Sequence, residues 1–185
     1  MFRRLAIAVA TAALAGIVGP ALAAGSQTTS LTVNASVAQN CSISTSAVAF
    51  GAYDPVLTHS SAGVDLNGTG AVSVTCTKNS TGVNVTLGLG SHASSSVRRL
   101  LGGTSGEFLT YELYHPSATT PTAACSFPGT TVWGTTGGGI FTPTGISNWG
   151  ANSAKSFNVC GTISKAQDVS ADSSYTDSVL ATVNF

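Results

Sequence analysis

The residues of this chain best suited to covalent chemistry are its four cysteines, Cys41, Cys76, Cys125 and Cys160. They are widely spaced, and the sequence has no Cys-x-x-Cys or His-x-x-x-His cluster of the kind that holds zinc. In an exported chain, an even number of cysteines indicates disulfide bonds. Of the three possible connectivities, we favour Cys41–Cys76, which joins the two earliest predicted core strands, and Cys125–Cys160, which spans the later half.

Groups for acid–base or nucleophilic catalysis are scarce. The chain has seven acidic residues and three histidines, His59, His92 and His115, which lie in Ser/Pro-rich segments typical of exposed loops. No Gly-x-Ser-x-Gly sequence marks a nucleophile. We therefore predict that the protein is not an enzyme and that it holds no metal. A Ser-His-Asp site that assembles only in three dimensions stays open as an alternative.

Two motifs could bind small molecules. Residues 88–93, Gly-Leu-Gly-Ser-His-Ala, fit the Gly-x-Gly-x-x-Ala pattern of dinucleotide-binding turns, and Glu107 lies near the spacing of a ribose-binding acid. That pattern needs a helix whose N-terminus meets the pyrophosphate, and residues 94–96 are three serines instead. We therefore expect no cofactor. Trp133 and Trp149 could form a sugar-stacking platform, although Trp133, within Thr-Val-Trp-Gly, is more typical of a core anchor.

The N-terminus has the pattern of a secretory signal peptide. Arg3 and Arg4 precede an apolar stretch from Leu5 to Val18, and Ala21-Leu22-Ala23 is a small-x-small cleavage site. We predict that residues 1–23 are the signal peptide and that the protein is exported. Removal of the two arginines from seven Lys+Arg, against seven Asp+Glu, leaves a slightly acidic mature chain. Nucleic acid is accordingly a poor partner.

Directly behind the signal lies an alternating segment. Leu31, Val33, Ala35 and Val37 alternate with polar residues, which is the pattern of a strand with one buried face. Such a strand near a mature N-terminus could complete the sheet of another chain. The segment therefore predicts a polymer subunit.

The mature chain reads as an N-terminal extension, residues 24–38, followed by one β-sandwich domain, residues 39–185. Short alternating segments separated by Gly, Ser and Pro turns favour the sandwich. Residues 63–70 and most of 115–155 are predicted to be loops. The predicted strands are Ser42–Phe50, Ala71–Cys76, Gly82–Leu89, Phe108–Tyr114, Thr130–Trp133, Ser156–Ile163 and Tyr175–Phe185.

Several short motifs, taken in their order and spacing, resemble the spore coat protein U domain, a family that includes the Csu-type archaic chaperone–usher pilins. The resemblance covers essentially all of the mature chain, and Cys41 and Cys76 match its cysteine positions. Cys125, Cys160 and a long insert around Ala118–Phe127 depart from the family pattern. The matching motifs are Arg98-Arg99-Leu100, Tyr111-Glu112-Leu113-Tyr114, Thr131-Val132-Trp133-Gly134, Ser174-Tyr175-Thr176-Asp177-Ser178-Val179 and Thr182-Val183-Asn184-Phe185.

The resemblance implies an incomplete immunoglobulin-like β-sandwich that is completed by donor-strand complementation. It implies a structural subunit of a surface pilus, built by the chaperone–usher route and supporting adhesion and biofilm formation. The implied partners are a periplasmic pilus chaperone, an outer-membrane usher, and other copies or related pilin subunits. The implied location is the periplasm and then the extracellular pilus.

The expected site has a donor side and an acceptor side. On the donor side, from about Thr28 to Ala38, we expect four apolar side chains to enter the groove of another subunit: Leu31, Val33, Ala35 and Val37. On the acceptor side, we expect the last predicted strand to form a wall that the chaperone grips, through Val179, Ala181, Val183 and Phe185. We also expect no further strand of the chain to cover this wall.

Two other functions stay open on the sequence. One is a self-contained secreted β-sandwich that binds a ligand and keeps its N-terminal strand in its own sheet. The other is an adhesin at the pilus tip, which is less expected because adhesins of this family tend to carry two domains.

Overall fold

The computed structural model describes residues 24–146, 148–150 and 153–185. The predicted signal peptide, residues 1–23, lies outside the described residues. Apart from one 3-10 turn at Gly137–Gly139, the regular structure of the described chain is all β-strand, so the prediction of an all-β fold is confirmed. In these described ranges, no helix is long and apolar enough to cross a membrane.

The chain divides into two units between Ser36 and Val37. In the first unit, the described residues 24–36 have no regular secondary structure. Leu31 and Val33 are 87% and 85% exposed. Apolar and polar residues therefore alternate in this segment, but the segment forms no β-strand within the chain itself.

The second unit, residues 37–185, contains two antiparallel sheets. Its strands are β1 (Cys41–Ala49), β2 (Leu66–Cys76), β3 (Asn84–Leu87), β4 (Arg98–Gly102), β5 (Phe108–His115), β6 (Thr131–Val132), β7 (Lys155–Ile163), β8 (Tyr175–Thr176) and β9 (Ala181–Asn184). The larger sheet has the order β1-β2-β7-β5-β4-β8, with β6 paired to β5, and the smaller sheet pairs β3 with β9.

Strand β2 begins earlier than its sequence pattern indicates. Residues 63–70 are predicted to be a loop, and this is wrong from Leu66 onward, because Leu66 pairs with Ile163 and the ladder continues along β7. Gly68 and Gly70 remove the apolar alternation that would have marked this half of the strand.

The last predicted strand, Tyr175–Phe185, is two strands in the structure. β8 pairs with β4 in the larger sheet, and β9 pairs with β3 in the smaller one. The chain passes between the sheets over residues 177–180. A continuous alternation hides this change of partner because it reports only which side chains point inward, not which strand lies alongside.

The core lies between the two sheets. It includes Val72 from β2, Val85 from β3 and Phe157 from β7, all nearly inaccessible to solvent. Trp133 is fully buried, and its Nε1 donates a hydrogen bond of 3.0 Å to the Val85 carbonyl. The prediction that Trp133 is a core anchor is confirmed, and Trp149 is also buried.

Arg98, at the start of β4, is a buried charge. Its guanidinium pairs with the Glu112 carboxylate and donates hydrogen bonds of 2.7 Å to the carbonyls of Gly88 and Trp133. These bonds connect β4, β5, the end of β3 and the segment after β6. A buried cation is tolerated because its donors are satisfied by oxygen atoms from several elements.

Two disulfide bonds cross-link the domain. Cys41 at the start of β1 is bonded to Cys76 at the end of β2, and Cys125 is bonded to Cys160 in β7. These are the pairs favoured in the sequence analysis. The first bond joins the two strands of one ladder, and the second ties the loop that follows β5 to the centre of the larger sheet.

Candidate functional site

A groove of about 290 Å³ lies between β1 and the segment that enters β9. One wall is formed by residues 45–48 and Phe50, and the other by residues 177–179 and Ala181. The floor is made by core side chains, namely Val72, Leu87, Leu100, Tyr111, Leu113 and Val159. The groove therefore presents a long apolar floor between two extended backbone segments.

Each wall of the groove belongs to or leads into an edge strand: β1 at the edge of the larger sheet, and β9 in the smaller sheet. β1 pairs only with β2, and β9 pairs only with β3, among the described residues. Each strand keeps one edge without a ladder partner in this part of the chain. Such edges are templates for pairing with an added strand. The groove is therefore bordered by two strand edges to which an extended segment could add its backbone hydrogen bonds.

The β1 wall is shaped by a bulge. The pairing of β1 with β2 shifts register between Ser46 and Ala49. Val48 and Phe50 then lie over Gly161 of β7, where an added Cβ would be 2.6 Å from Phe50 Cζ and 2.7 Å from Val48 Cγ1. Glycine is required at residue 161 because these two side chains occupy the space of its missing Cβ.

The residues predicted for the acceptor wall have different surroundings. Val179 and Ala181 line the groove, while Leu180 between them is 75% exposed. Val183 packs against the core further along β9. Phe185 lies beyond the end of β9 and is 51% exposed. The structure thus brings Val179, Ala181 and Val183 to one face, and the groove-lining part of that face is Val179 and Ala181.

The residues predicted for the donor strand are solvent-exposed. Leu31 and Val33, in residues 24–36, are described above, and Ala35 in the same segment is exposed. Val37, the first residue of the domain unit, is 84% exposed. Every described residue from 24 to 40 is exposed, so it is the alternation in the sequence, and not the exposure, on which the prediction of a donor strand rests.

Asp177 is a buried carboxylate at one end of the groove, with a side chain only 1% exposed. It accepts hydrogen bonds from the hydroxyls of Tyr111 and Ser91 and from the backbone N–H groups of His92 and Ser178, at 2.8 to 3.1 Å. Burial raises the pKa of the Asp177 carboxyl, but these hydrogen bonds outweigh burial and hold the pKa below its ordinary value.

Ser91, His92 and Asp177 lie close together, so the alternative of a Ser-His-Asp catalytic site can be tested on their geometry. His92 Nδ1 is 3.2 Å from Asp177 Oδ1, and the Ser91 hydroxyl donates to the same oxygen. A catalytic serine must instead bond to the histidine nitrogen that faces away from the carboxylate. The three side chains therefore fasten the groove wall and are not arranged for nucleophilic attack.

The expectation that all three histidines are exposed loop residues is wrong for His59, which is 5% exposed, and for His115, which is the half-buried last residue of β5 and packs edge-on against Trp133. The ring of His59 stacks on Tyr53 with centroids 5.0 Å apart, and its Nδ1 lies 2.8 Å from the Val64 carbonyl oxygen. His59 is a structural residue of the loop between β1 and β2.

Sequence reasoning missed the β1 wall and Asp177. The available signal for the wall was the pair Val48 and Phe50, two large apolar residues at alternate positions at the end of the predicted strand Ser42–Phe50. Asp177 was visible only as one member of a motif. Its burial depends on Tyr111 and Ser91, which are far from it in sequence.

Comparison with known proteins agrees with this geometry. The model of the Spore Coat Protein U domain family matches residues 27–182. The chain is 35% identical to Protein U of Myxococcus xanthus over 192 aligned residues, which cover 98% of each chain.

The chain is also similar to a pilus subunit in a solved structure, the CsuC–CsuE chaperone–tip adhesion subunit pre-assembly complex from archaic chaperone–usher Csu pili of Acinetobacter baumannii. The TM-score is 0.50 with 20% identity, over 80% of this chain and 40% of that chain. This likeness shows the fold, an incomplete immunoglobulin-like β-sandwich. The family model over residues 27–182 and the 35% identity to Protein U show that the chain belongs to the Spore Coat Protein U domain family.

Proposed function

We propose that this protein is a structural subunit of a surface fibre, assembled by donor-strand complementation along a chaperone–usher route. One observation carries the proposal: a groove with an apolar floor is bordered by β1 and β9, each of which has one edge without a ladder partner among the residues that the structure describes. The same chain carries an exposed segment with apolar residues at alternate positions. One copy therefore has both halves of a joint with the next copy.

The two halves match in length. An extended strand rises about 3.3 Å per residue, so the distance from Leu31 to Val37 is about 20 Å on the same basis. The β1 wall, Thr45 to Phe50, extends over about 17 Å by that rise. A donor strand of this length would lay its alternate side chains along the whole groove.

The energetics favour a long-lived joint. Burial of a Val or Leu side chain contributes about 1.5–3 kcal/mol, and three such residues, Leu31, Val33 and Val37, share the donor face. Backbone hydrogen bonds to the edges of β1 and β9 would add to this. The same edges would promote aggregation before assembly, which is the physical need that a periplasmic chaperone meets.

The family consists of structural, non-enzymatic proteins, in accord with the expectation that this chain is not an enzyme. For this chain we infer export to the periplasm, binding to a pilus chaperone, passage through an outer-membrane usher, and display in an extracellular fibre of identical or related subunits. Support of adhesion and biofilm formation by that fibre belongs to the same proposal. The relation to a chaperone–tip subunit complex supports the chaperone as first partner.

The test is a pair of donor-strand variants. Val33→Asp would bury an unpaired charge in the groove of the next copy, which costs several kcal/mol, so we expect it to abolish fibres while the chaperone complex still forms. Thr32→Asp places the same charge on the opposite face of the strand, and we expect normal fibres. Fibre assembly by Val33→Asp at the level of Thr32→Asp, seen by electron microscopy, contradicts the proposal.

A further inference from the structure

A second cavity, of about 410 Å³, opens beside the start of β2. It is lined by residues 63–65, Asn67, Phe127, Pro128 and Lys165, none of which lines the donor-strand groove. Its volume is within the range of small-molecule sites. We name this cavity the side pocket.

The side pocket lies on the outer face of the larger sheet, opposite the groove. Gly68 and Gly161 face the groove side, where an added Cβ would be 2.9 Å and 2.6 Å from the ring of Phe50. Successive residues of a strand point to opposite faces of the sheet. Asn67 and Thr162, which pair with each other beside these glycines, therefore point outward. A strand in the groove would lie on the other side of the sheet from the side pocket.

One wall of the side pocket is formed by the end of the insert around Ala118–Phe127 and the residue that follows it. Alternate residues of β7 hold this insert on the outer face of the sheet. The side-chain amide of Asn158 donates a hydrogen bond of 2.9 Å to the Ala123 carbonyl, and Cys160 is bonded to Cys125. The insert is therefore fastened to the sheet by a hydrogen bond and by a covalent bond.

The insert places an aromatic ring at the rim of the side pocket. Phe127, which is 37% exposed, follows Cys125 by two residues. On its other side, Gly129 packs so closely against the Tyr114 ring of β5 that a Cβ has no room. The backbone is thus fixed both before and after Phe127 and Pro128. A ring held in this way loses little conformational entropy when a ligand packs on it.

The opposite wall carries polar groups whose positions are fixed by the protein. Asp65 Oδ1 accepts a hydrogen bond of 2.9 Å from the Lys165 backbone N–H, and Lys165 Nζ donates one of 2.9 Å to the Gly63 carbonyl. The Thr162 hydroxyl donates to Asn67 Oδ1 at 3.0 Å. In the part of the chain that the structure describes, Asp65 Oδ2 and Asn67 Nδ2 keep no protein partner. The side pocket therefore offers a carboxylate oxygen that accepts, and amide and ammonium protons that donate.

This combination of groups matches a sugar ring. A pyranose has an apolar face of C–H groups, which packs on an aromatic ring, and hydroxyls at its edge that each donate and accept. A wholly apolar ligand would cover Asp65 and Lys165 without replacing their hydrogen bonds to water. Because these two side chains have opposite charges, they favour a ligand without net charge.

We propose that the side pocket binds one neutral pyranose unit of a polysaccharide. The apolar face of the sugar lies on Phe127, two neighbouring hydroxyls bind Asp65 Oδ2 and Asn67 Nδ2, and Lys165 Nζ donates to a third oxygen. Binding of a single unit to so open a site is weak, with a Kd of about 1 mM. One copy of the chain is enough for this binding, so the proposal does not depend on the proposed function. A fibre would repeat the side pocket along its length, and multivalency would then strengthen its hold on a polysaccharide.

Saturation-transfer NMR on the full mature chain tests the site. The probes are the methyl α-glycosides of glucose, galactose and mannose. We expect transfer from the protein to the ring C–H protons of at least one of them, with a Kd of about 1 mM on titration.

Two phenylalanine variants locate the binding. Phe127→Ala removes the ring at the rim and should weaken binding of the glycoside about fivefold or more. Phe108→Ala is the matched control, because it removes a ring that is 40% exposed and lies outside the side pocket. It should bind like wild type. Equal melting temperatures of the two variants show that both are folded.

Two aspartate variants test the polar wall. Asp65→Asn keeps an oxygen for the Lys165 N–H but removes the charge, and hydrogen bonds to charged groups are about twice as strong as neutral ones. We therefore expect a loss of affinity of about threefold or more. Asp168→Asn, which neutralises an exposed residue outside the side pocket, should not change the affinity.

The outcomes are separate from those of the proposed function. Absence of saturation transfer to all three glycosides overturns the sugar site. Binding that is the same in wild type, Phe127→Ala and Asp65→Asn also overturns it, because the sugar then lies elsewhere. If Phe127→Ala alters fibre assembly and no glycoside binds, the side pocket is a protein contact, and the proposal fails. None of these results bears on donor-strand complementation, which the Val33→Asp and Thr32→Asp pair decides.

Discussion

The hydroxyl of Tyr111 donates a hydrogen bond of 2.8 Å to Asp177 Oδ2. The bond joins the floor of the groove, on β5, to the wall where the chain passes from β8 to β9. Burial and the neighbouring carboxylate raise the pKa of the Tyr111 hydroxyl well above its ordinary value, so it remains a donor at physiological pH. The Tyr111–Asp177 hydrogen bond therefore holds the floor of the groove to its wall within the single chain.

Removal of this hydroxyl should weaken the domain. Hydrogen bonds to charged groups contribute about 1.5–3 kcal/mol, so we expect Tyr111→Phe to lower the free energy of unfolding by about that amount. Tyr175→Phe is the matched control, because its hydroxyl donates to a neutral carbonyl, that of Ser170, and should cost about 1 kcal/mol or less. Urea unfolding at pH 7 measures both, and equal losses would show that the Asp177 bond has no special weight.

The Asp177 carboxyl should make stability depend on acid pH. Its folded-state pKa is lowered, so its stabilising contribution is present above the unfolded pKa of about 3.9 and is lost as the pH falls through the folded value. We expect Asp177→Asn to be less stable than wild type at pH 7, with the difference shrinking below about pH 4. The pKa of Asp172 is lowered to about 2 by the backbone N–H groups of Ser105, Thr104 and Ser174. Because Asp172 is present in both proteins, its titration does not contribute to the difference between them. A difference that stays constant from pH 7 to pH 2.5 would contradict this assignment.

Adjacent residues of the β9 wall should respond differently to charge. Val179 lines the groove and Leu180 points to solvent. Val179→Asp would leave a carboxylate against an incoming strand, so we expect at least a tenfold loss of affinity for a peptide with the sequence of residues 27–38. Leu180→Asp should bind the peptide like wild type. Similar affinities of the two variants, measured by fluorescence anisotropy, would contradict the proposed acceptor wall.

Gly161 should be intolerant of a larger side chain. A Cβ at this position would be 2.6 Å from the Phe50 ring and would push Phe50 and Val48 toward the groove. Overpacking of this kind costs about 1–3 kcal/mol, so Gly161→Val should lower the melting temperature and reduce binding of the same peptide. Gly103→Ala is the control, since its nearest neighbour would be 3.7 Å away. A Gly161→Val protein that matches Gly103→Ala in both measurements would show that this packing is unimportant.

The sequence predicted strands wherever apolar and polar residues alternate without interruption. β5 and β7 were found in this way, each within one residue of its bounds in the structure. The early half of β2 was missed because Gly68 and Gly70 carry no side chain to alternate. β4 was missed because Arg98-Arg99-Leu100-Leu101-Gly102 has no period, and its buried arginine is satisfied only by elements distant in sequence.

The groove could be predicted only in part. The wall residues Val179 and Ala181 were found from local alternation, because both lie on one face of a single extended segment. The opposite wall and the floor come from β1, β2, β3, β4, β5 and β7, and no local pattern reports which of these strands meet. The bulge between Ser46 and Ala49 also disturbs the alternation where β1 turns its side chains toward the groove.

The Cys41–Cys76 disulfide has a mechanical consequence. In the proposed fibre under tension, a pull on the donor strand would reach the domain at residues 38–40, which are hydrogen-bonded to Thr77 and directly precede Cys41. The covalent bond transfers that force directly to Cys76 at the end of β2, which is paired on both sides by β1 and β7. Without the disulfide, the force would act on the terminal hydrogen bond of the β1–β2 ladder and could open that ladder one residue at a time. With the disulfide, the force passes directly to β2, and the hydrogen bonds on both sides of β2 share the load.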